Sequence, residues 1–319
     1  LGTGIVIADL STGADTIVLG KIGTVVHDIN TSTGTDTLSA TLTSSSSDFT
    51  SVDGVETFNL TIADEGTTGF DNATKIDGLN EATTVNILGG NALSTFTVAT
   101  GPIVDDSTGS TDNIEVIDAS TFAGTFDVLL DPTAFDSTLT IKGPTAGTAD
   151  IIRFDAQETD GKIKSMTGIE TLALFTSDGD VDGVVDLSNA TGVTKITLAY
   201  TTNTNDDAVE FKGVEAGTVF ELTSTQTGDK ITIGMADASS ATTAVDIKLI
   251  DFENSVNDTL DIDATGVETI TINDASTDAG ETIDLAGVTA STGYKTKLIL
   301  KGGDLTLGSL SSSFDTIDA

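Results

Sequence analysis

Gly266-Val267-Glu268-Thr269-Ile270-Thr271-Ile272 decides how this chain is read, because it returns as Gly54-Val55-Glu56-Thr57-Phe58-Asn59-Leu60 and as Gly168-Ile169-Glu170-Thr171-Leu172-Ala173-Leu174. Each copy alternates with period two. Ile270 and Ile272, Phe58 and Leu60, or Leu172 and Leu174 therefore share one face of a strand, and Thr269, Thr57 or Thr171 stands on the other. The Glu falls on the apolar face, one step before the strand enters a core.

The same phrase, an acid two positions before an apolar residue with another apolar residue two further on, runs through the sequence. Asp15/Ile17/Leu19, Asp36/Leu38/Ala40, Asp112/Ile114/Val116, Asp150/Ile152/Phe154, Asp229/Ile231/Ile233, Asp258/Leu260/Ile262 and Glu281/Ile283/Leu285 all follow it. Period two puts each carboxylate at the mouth of a strand, on the rim of a turn. There it can accept backbone N–H groups or bind a cation, and the pattern alone leaves both open.

Gly13 to Leu19 is echoed by Gly34 to Ala40 twenty-one residues later, and the copy at Gly54 keeps the beat. A period near twenty is the length of one solenoid coil or one hairpin. The expected fold is all-β, an elongated parallel β-solenoid; tandem β-sandwich domains are the alternative, since strands every ten to fifteen residues with turn signals also describe those. Spacing is less regular after residue 62. Residues 1–319 read as one β-rich unit with a weak candidate boundary at 201–207, and the last residues, which resemble the start of another repeat, read as a piece of a longer protein.

Fifty acidic residues against thirteen basic give a net charge of −37, which makes nucleic acid and anionic membranes poor partners. No stretch approaches the ~18 apolar residues of a membrane span. The absence of Cys excludes disulfides and thiolate metal sites. Abundant Thr and Val, with only three Pro and no Trp, favour uninterrupted strands over helices and a core of Ile, Leu, Val and Phe.

The sharpest local motif is Asp178-Gly179-Asp180-Val181-Asp182-Gly183-Val184-Val185-Asp186. Carboxylates at positions one, three and five, Gly at six, the Val184 carbonyl at seven and Asp186 at nine match the opening of an EF-hand-like calcium loop. Ca²⁺ takes six to eight oxygens, and alternate residues of a curled loop can supply them together. Asn189 stands at position twelve in place of the bidentate Glu, and strands flank the loop in place of helices. The acidic stretch Val104 to Asp112 is read as a surface loop or a second cation site.

The Gly-x-Asp-x-apolar-x-apolar phrase of Gly13 to Leu19 and Gly34 to Ala40 resembles a degenerate nonapeptide of repeats-in-toxin proteins. Combined with the Gly-Val-Glu-Thr strands and the Thr- and Asp-rich, Cys-free composition, the chain is similar to type I-secreted surface-layer (S-layer) and adhesin proteins of Gram-negative bacteria. The full Gly-Gly-x-Gly-x-Asp form is absent; Gly302-Gly303-Asp304 is a fragment of it. The resemblance implies a secreted, extracellular, cell-surface protein that binds Ca²⁺ at its turns and associates as a homo-oligomer or polymer. It carries a calcium-ligand role onto Asp15, Asp36, Asp112, Asp150, Asp229 and Asp258.

Catalysis finds little to build on. His27 is the only histidine, within an ordinary strand-and-turn run, and Arg153 is the only arginine available to hold a sugar acid. The expected function is therefore structural and not enzymatic: a calcium-dependent surface layer or filament. The alternative is the stalk or ligand-binding region of a large adhesin, with a cell-surface polysaccharide as partner.

Overall fold

The computed structural model describes residues 6–8, 13–22, 26–30, 34–42, 48–63, 71–73, 75–76, 82–98, 114–130, 138–145, 149–155, 160–175, 183–199, 208–223, 230–240, 242–250, 259–275, 282–303 and 305–319. Among them there is no helix, and the strand pairings are parallel. The chain is a parallel β-solenoid, as the twenty-residue beat implied; sandwich sheets would pair antiparallel. It divides into two compact units, Leu1–Arg153 with Ile163–Glu170, and Phe154–Lys162 with Thr171–Ala319. The candidate boundary at 201–207 lies outside the described residues.

In the first unit one sheet stacks Thr16–Ile22, Thr37–Leu42, Thr57–Ile62, Thr84–Gly89, Val116–Asp118, Thr140–Lys142 and Ser165–Thr167 in sequence order. Stacking in register turns the period-two pattern into columns. Leu38, Phe58, Val85, Ile117, Ile141 and Met166 lie one above another, and each is 0% exposed. The opposite face carries the polar members, where Asn86 Nδ2 donates to Asn59 Oδ1 at 2.7 Å and Asn59 Nδ2 to Ser39 Oγ at 3.3 Å. A second sheet of this unit includes Thr95–Val98 and Thr125–Leu129, whose Phe96 and Phe126 rings stack at 6.1 Å.

The second unit repeats the scheme with Thr171–Phe175, Lys195–Ala199, Val219–Thr223, Ala244–Leu249, Thr269–Asp274 and Thr296–Gly302 in one sheet. Gly183–Asp186, Ala208–Val214, Lys230–Met235, Thr259–Thr265 and Thr282–Leu285 belong to the other. Leu172, Ile196, Phe220, Ile247 and Ile272 form a buried column equivalent to that of Leu38. Full burial of each such side chain contributes about 1.5–3 kcal/mol.

Irregular spacing beyond residue 62 has a simple cause. Residues bonded from one coil to the next are separated by 20 residues at one corner and by 29 at another, so coils differ in the length of their turns while the strands still pair side by side. The turn that opens the repeated motif is fixed by its glycine. Gly54, Gly168 and Gly266 have φ of 74°, 68° and 74°, a left-handed conformation that costs an L side chain ~1–2 kcal/mol. At Gly266 space is short as well, since a Cβ would lie 2.5 Å from Ala238 Cβ and 2.7 Å from its Cα.

A pair of substitutions separates these two demands. Gly293 has φ of 88°, but no atom lies within 4 Å of the place a Cβ would take, so Gly293→Ala should cost only the conformational ~1 kcal/mol. Gly266→Ala should cost at least twice as much, ~2–4 kcal/mol, because Ala238 must also move. Urea unfolding of the two variants measures the difference, and equal losses would mean that the approach of the Ala238 coil sets no constraint.

Candidate functional site

Among the described residues Asp15, Asp36 and Asp150 of the repeated phrase each stand one residue before a strand. The N–H of each of these three points toward the next coil, and a carboxylate of that coil receives it. Asp15 N donates to Asp36 Oδ1 at 2.7 Å, and Asp36 N donates to Glu56 Oε2. Phe126 N donates to Asp150 Oδ1 at 2.8 Å, and Asp150 N to Glu170 Oε2 at 3.0 Å. Thr243 N donates to Glu268 Oε2 and Ser291 N to Glu268 Oε1, both at 3.2 Å. All three glutamates of the Gly-x-Glu-Thr motif thus play one part, each accepting the N–H of the residue in register on the coil before.

Main-chain carbonyls at these corners are used in the opposite direction. Thr37 N donates to the Asp15 carbonyl at 2.9 Å, Thr57 N to that of Asp36 at 3.1 Å and Lys297 N to that of Glu268 at 2.8 Å. Threonines at the same position serve carbonyls in place of amides. Thr296 Oγ1 donates to the Val267 carbonyl at 2.8 Å and Thr83 Oγ1 to that of Glu56 at 3.2 Å. Corner residues are buried accordingly: Asp36, Asp150 and Thr296 are 0% exposed, and Glu268 is 8%. Asp36 Oδ2 and Asp150 Oδ2 are enclosed with no hydrogen-bond donor facing them.

Of the residues expected to hold calcium, Asp15, Asp36 and Asp150 are therefore found at sheet corners, each in a backbone hydrogen bond to the next or the previous coil. Asp112, Asp178, Asp180, Asp182, Asp229 and Asp258 lie outside the described residues. The second half of the EF-hand-like stretch is visible. Val184 and Asp186 belong to the strand Gly183–Asp186, which pairs with Asp160–Lys162 on one side and Ala208–Val214 on the other. Burial pulls the Asp186 carboxyl upward, but hydrogen bonds from Ser188 N (2.9 Å) and Ser188 Oγ, with Lys162 and Lys212 nearby, leave it below the usual carboxylate range. Asn189 follows on the exposed turn. Among the described residues no three His, Asp or Glu side chains converge as a metal site.

The outer faces show where the few cations go. Arg153 grips Asp127 in a two-pronged contact, Nε to Oδ1 at 2.6 Å and Nη2 to Oδ2 at 2.5 Å. Lys142 meets Asp118 at 2.8 Å, Lys230 meets Asp263 at 2.6 Å, and Lys195 and Lys248 share Glu221. Burial acts to raise the Glu221 carboxyl, and the two lysines outweigh it and hold it low. Each of these pairs spans neighbouring coils and contributes about 0–1 kcal/mol at the surface. No family model, curated protein or solved structure matches the chain.

The glutamate corner can be tested where it is most completely built. Glu268→Ala leaves the Thr243 and Ser291 amides buried without acceptors, an expected loss of roughly 2–5 kcal/mol. Glu268→Gln should lose less, since its carbonyl oxygen still serves Thr243 while its NH₂ confronts Ser291 N–H. Denaturant unfolding together with amide exchange at Thr243 and Ser291 reads both effects; unchanged protection in Glu268→Ala would show that the carboxylate is dispensable.

Proposed function

We propose that this chain is a structural, non-enzymatic protein of the bacterial cell exterior that self-associates into a surface layer or filament in the presence of Ca²⁺. The reading is carried by one observation: the recurring acids at the described corners are engaged in joining coil to coil, so the repeated feature of the sequence builds a scaffold. A solenoid extends by adding coils without a new core design, which suits a protein whose task is to cover or span. The similarity to S-layer and adhesin sequences points the same way.

Calcium enters through what the corners leave unused. Fifty acids stand against thirteen bases, and Lys142, Arg153, Lys195, Lys230 and Lys248 are already paired across coils. The remaining carboxylates impose self-repulsion that divalent cations relieve. The acid-rich stretch of Asp178, Asp180 and Asp182 is the strongest binding candidate, because its alternate carboxylates and following Gly183 have the sequence spacing a hard cation requires.

Thermal unfolding with simultaneous light scattering, in millimolar calcium and again with excess chelator, tests both parts. The expected outcome is a higher melting temperature and growth of large particles with calcium, both reversed by chelator. Replacing Asp178, Asp180 and Asp182 together by Asn should remove most of the calcium-induced rise. Identical melting and scattering in the two conditions would dismiss the calcium-dependent assembly.

A further inference from the structure

The sheet of the first unit that begins at Thr16–Ile22 turns an unusual outer face to solvent. Thr16, Thr37, Thr57 and Thr84 stand in register as one outward column, continued on later coils by Thr140 and Ser165. Beside it run Val18, Ser39, Asn59 and Asn86, also in register. Among the described side chains of this face, charge enters only at Asp118 and Lys142, and these two neutralise each other at 2.8 Å. On the first strand Lys21 stands in register with Thr41. A chain of net charge −37 thus presents seven strands whose outward side chains carry no excess of acid. The outer face around Thr259–Thr265 in the second unit shows the contrast, because Asp261, Asp263 and Asp284 cluster there around Lys230.

Two further properties suit the uncharged face to close contact. It is flat, since parallel strands in register carry short Thr, Ser and Asn side chains to an even height. Its amides are also bonded along the sheet already, Asn86 Nδ2 to Asn59 Oδ1 at 2.7 Å and Asn59 Nδ2 to Ser39 Oγ at 3.3 Å, so covering them costs less than covering free amides. At its end Val18 is 73% exposed, more than any other large apolar side chain described.

We propose that this face is where two copies of the chain meet, face to face about a two-fold axis, each covering the other's Thr57 column. The inference rests on the self-association proposed above and names its contact. Copies of so acidic a chain repel wherever acids are in excess, and here they approach without setting carboxylate against carboxylate. An isologous pairing needs no second complementary surface, because a flat neutral face matches its own copy. Strands about 4.8 Å apart, each residue adding about 3.3 Å, give the seven-strand face roughly 500 Å² on each copy and about 1,000 Å² in all. That is the low end for a specific interface, as suits one contact among several in a layer or filament.

Sedimentation velocity of the full chain tests this in low salt and in ~0.5 M NaCl, each with millimolar calcium and with excess chelator. Salt shortens the reach of repulsion between copies, so the dimer fraction should rise with NaCl. Thr57→Lys makes the chain less acidic, which by itself favours association, yet it buries an unpaired lysine from each copy. Dimerisation should therefore weaken at least about tenfold. Thr197→Lys, the same change on the outer face of Lys195–Ala199 in the second unit, should associate at least as well as native. Equal association of the two variants would overturn the proposal. Should Thr57→Lys fail to fold, hydroxyl-radical footprinting of the native chain decides it: the Val18 side chain should gain protection as dimers form, and unchanged labelling of Val18 in a dimeric sample refutes the contact. Calcium-grown particles that form equally from native and Thr57→Lys chains would remove this contact and leave the calcium-dependent assembly standing. A chain that stays monomeric with calcium and with salt would remove both, and would assign the face to a partner other than this chain.

Discussion

A carboxylate on one coil receiving the N–H of the residue in register on the coil before is the interaction on which the rest of this solenoid depends. Parallel strands satisfy their backbones along the ladder, yet at several corners the chain leaves the sheet and an N–H meets a carboxylate in place of a carbonyl. An unmet donor in that position would cost ~1–3 kcal/mol at each such corner. Asp36, Glu56, Asp150, Glu170 and Glu268 remove it. The bond is charge-assisted, so it offsets the desolvation of the acid better than a neutral acceptor would. Glu268, with Ser291 on its other oxygen, gains two amides for one buried carboxylate.

This arrangement makes the flanking residues of the motif intelligible. The acid must arrive at the corner just as the strand begins, which requires the turn before it to be tight; hence Gly54, Gly168 and Gly266 at positive φ. The residue between, Val55, Ile169 or Val267, is fully buried and fixes the direction from which the carboxylate enters. Gly-apolar-Glu-Thr is thus one mechanical unit: turn, anchor, cap and first residue of the strand.

The fold was legible because register and period reinforce each other. Asp15, Asp36 and Glu56 recur at nearly one coil length, and period-two alternation after each of them predicts the columns through Leu38 and Phe58. The placement of acids at strand mouths was legible for the same reason, and one of the two roles open to them, acceptance of backbone N–H groups, is what the described corners display. Less could be read of the partners. Thr243 and Ser291 belong to no acidic phrase, and their link to Glu268 comes from the stacking of neighbouring coils. Ser188, which turns the Asp186 carboxylate back on its own chain, shows why spacing alone is a weak guide to a cation loop: a nearby hydroxyl and amide compete for the same oxygens.

A column of corners cannot be all acid, and the sequence respects that limit. Stacked carboxylates about one strand spacing apart repel, the more so because the corner excludes water. After Asp15, Asp36 and Glu56 the next corner residue is Thr83, and Glu268 lies between Thr243 and Thr296. Threonine at a corner does more than dilute charge. An ionised acid only accepts, so it suits a corner where an amide needs a partner; threonine can also donate, as Thr296 does to the Val267 carbonyl and Thr83 to that of Glu56, which already takes the Thr83 and Thr84 N–H groups. Threonine thus serves different partners at different corners: the Thr243 hydroxyl and N–H both meet the Glu268 carboxylate, and the Thr296 hydroxyl meets the Val267 carbonyl.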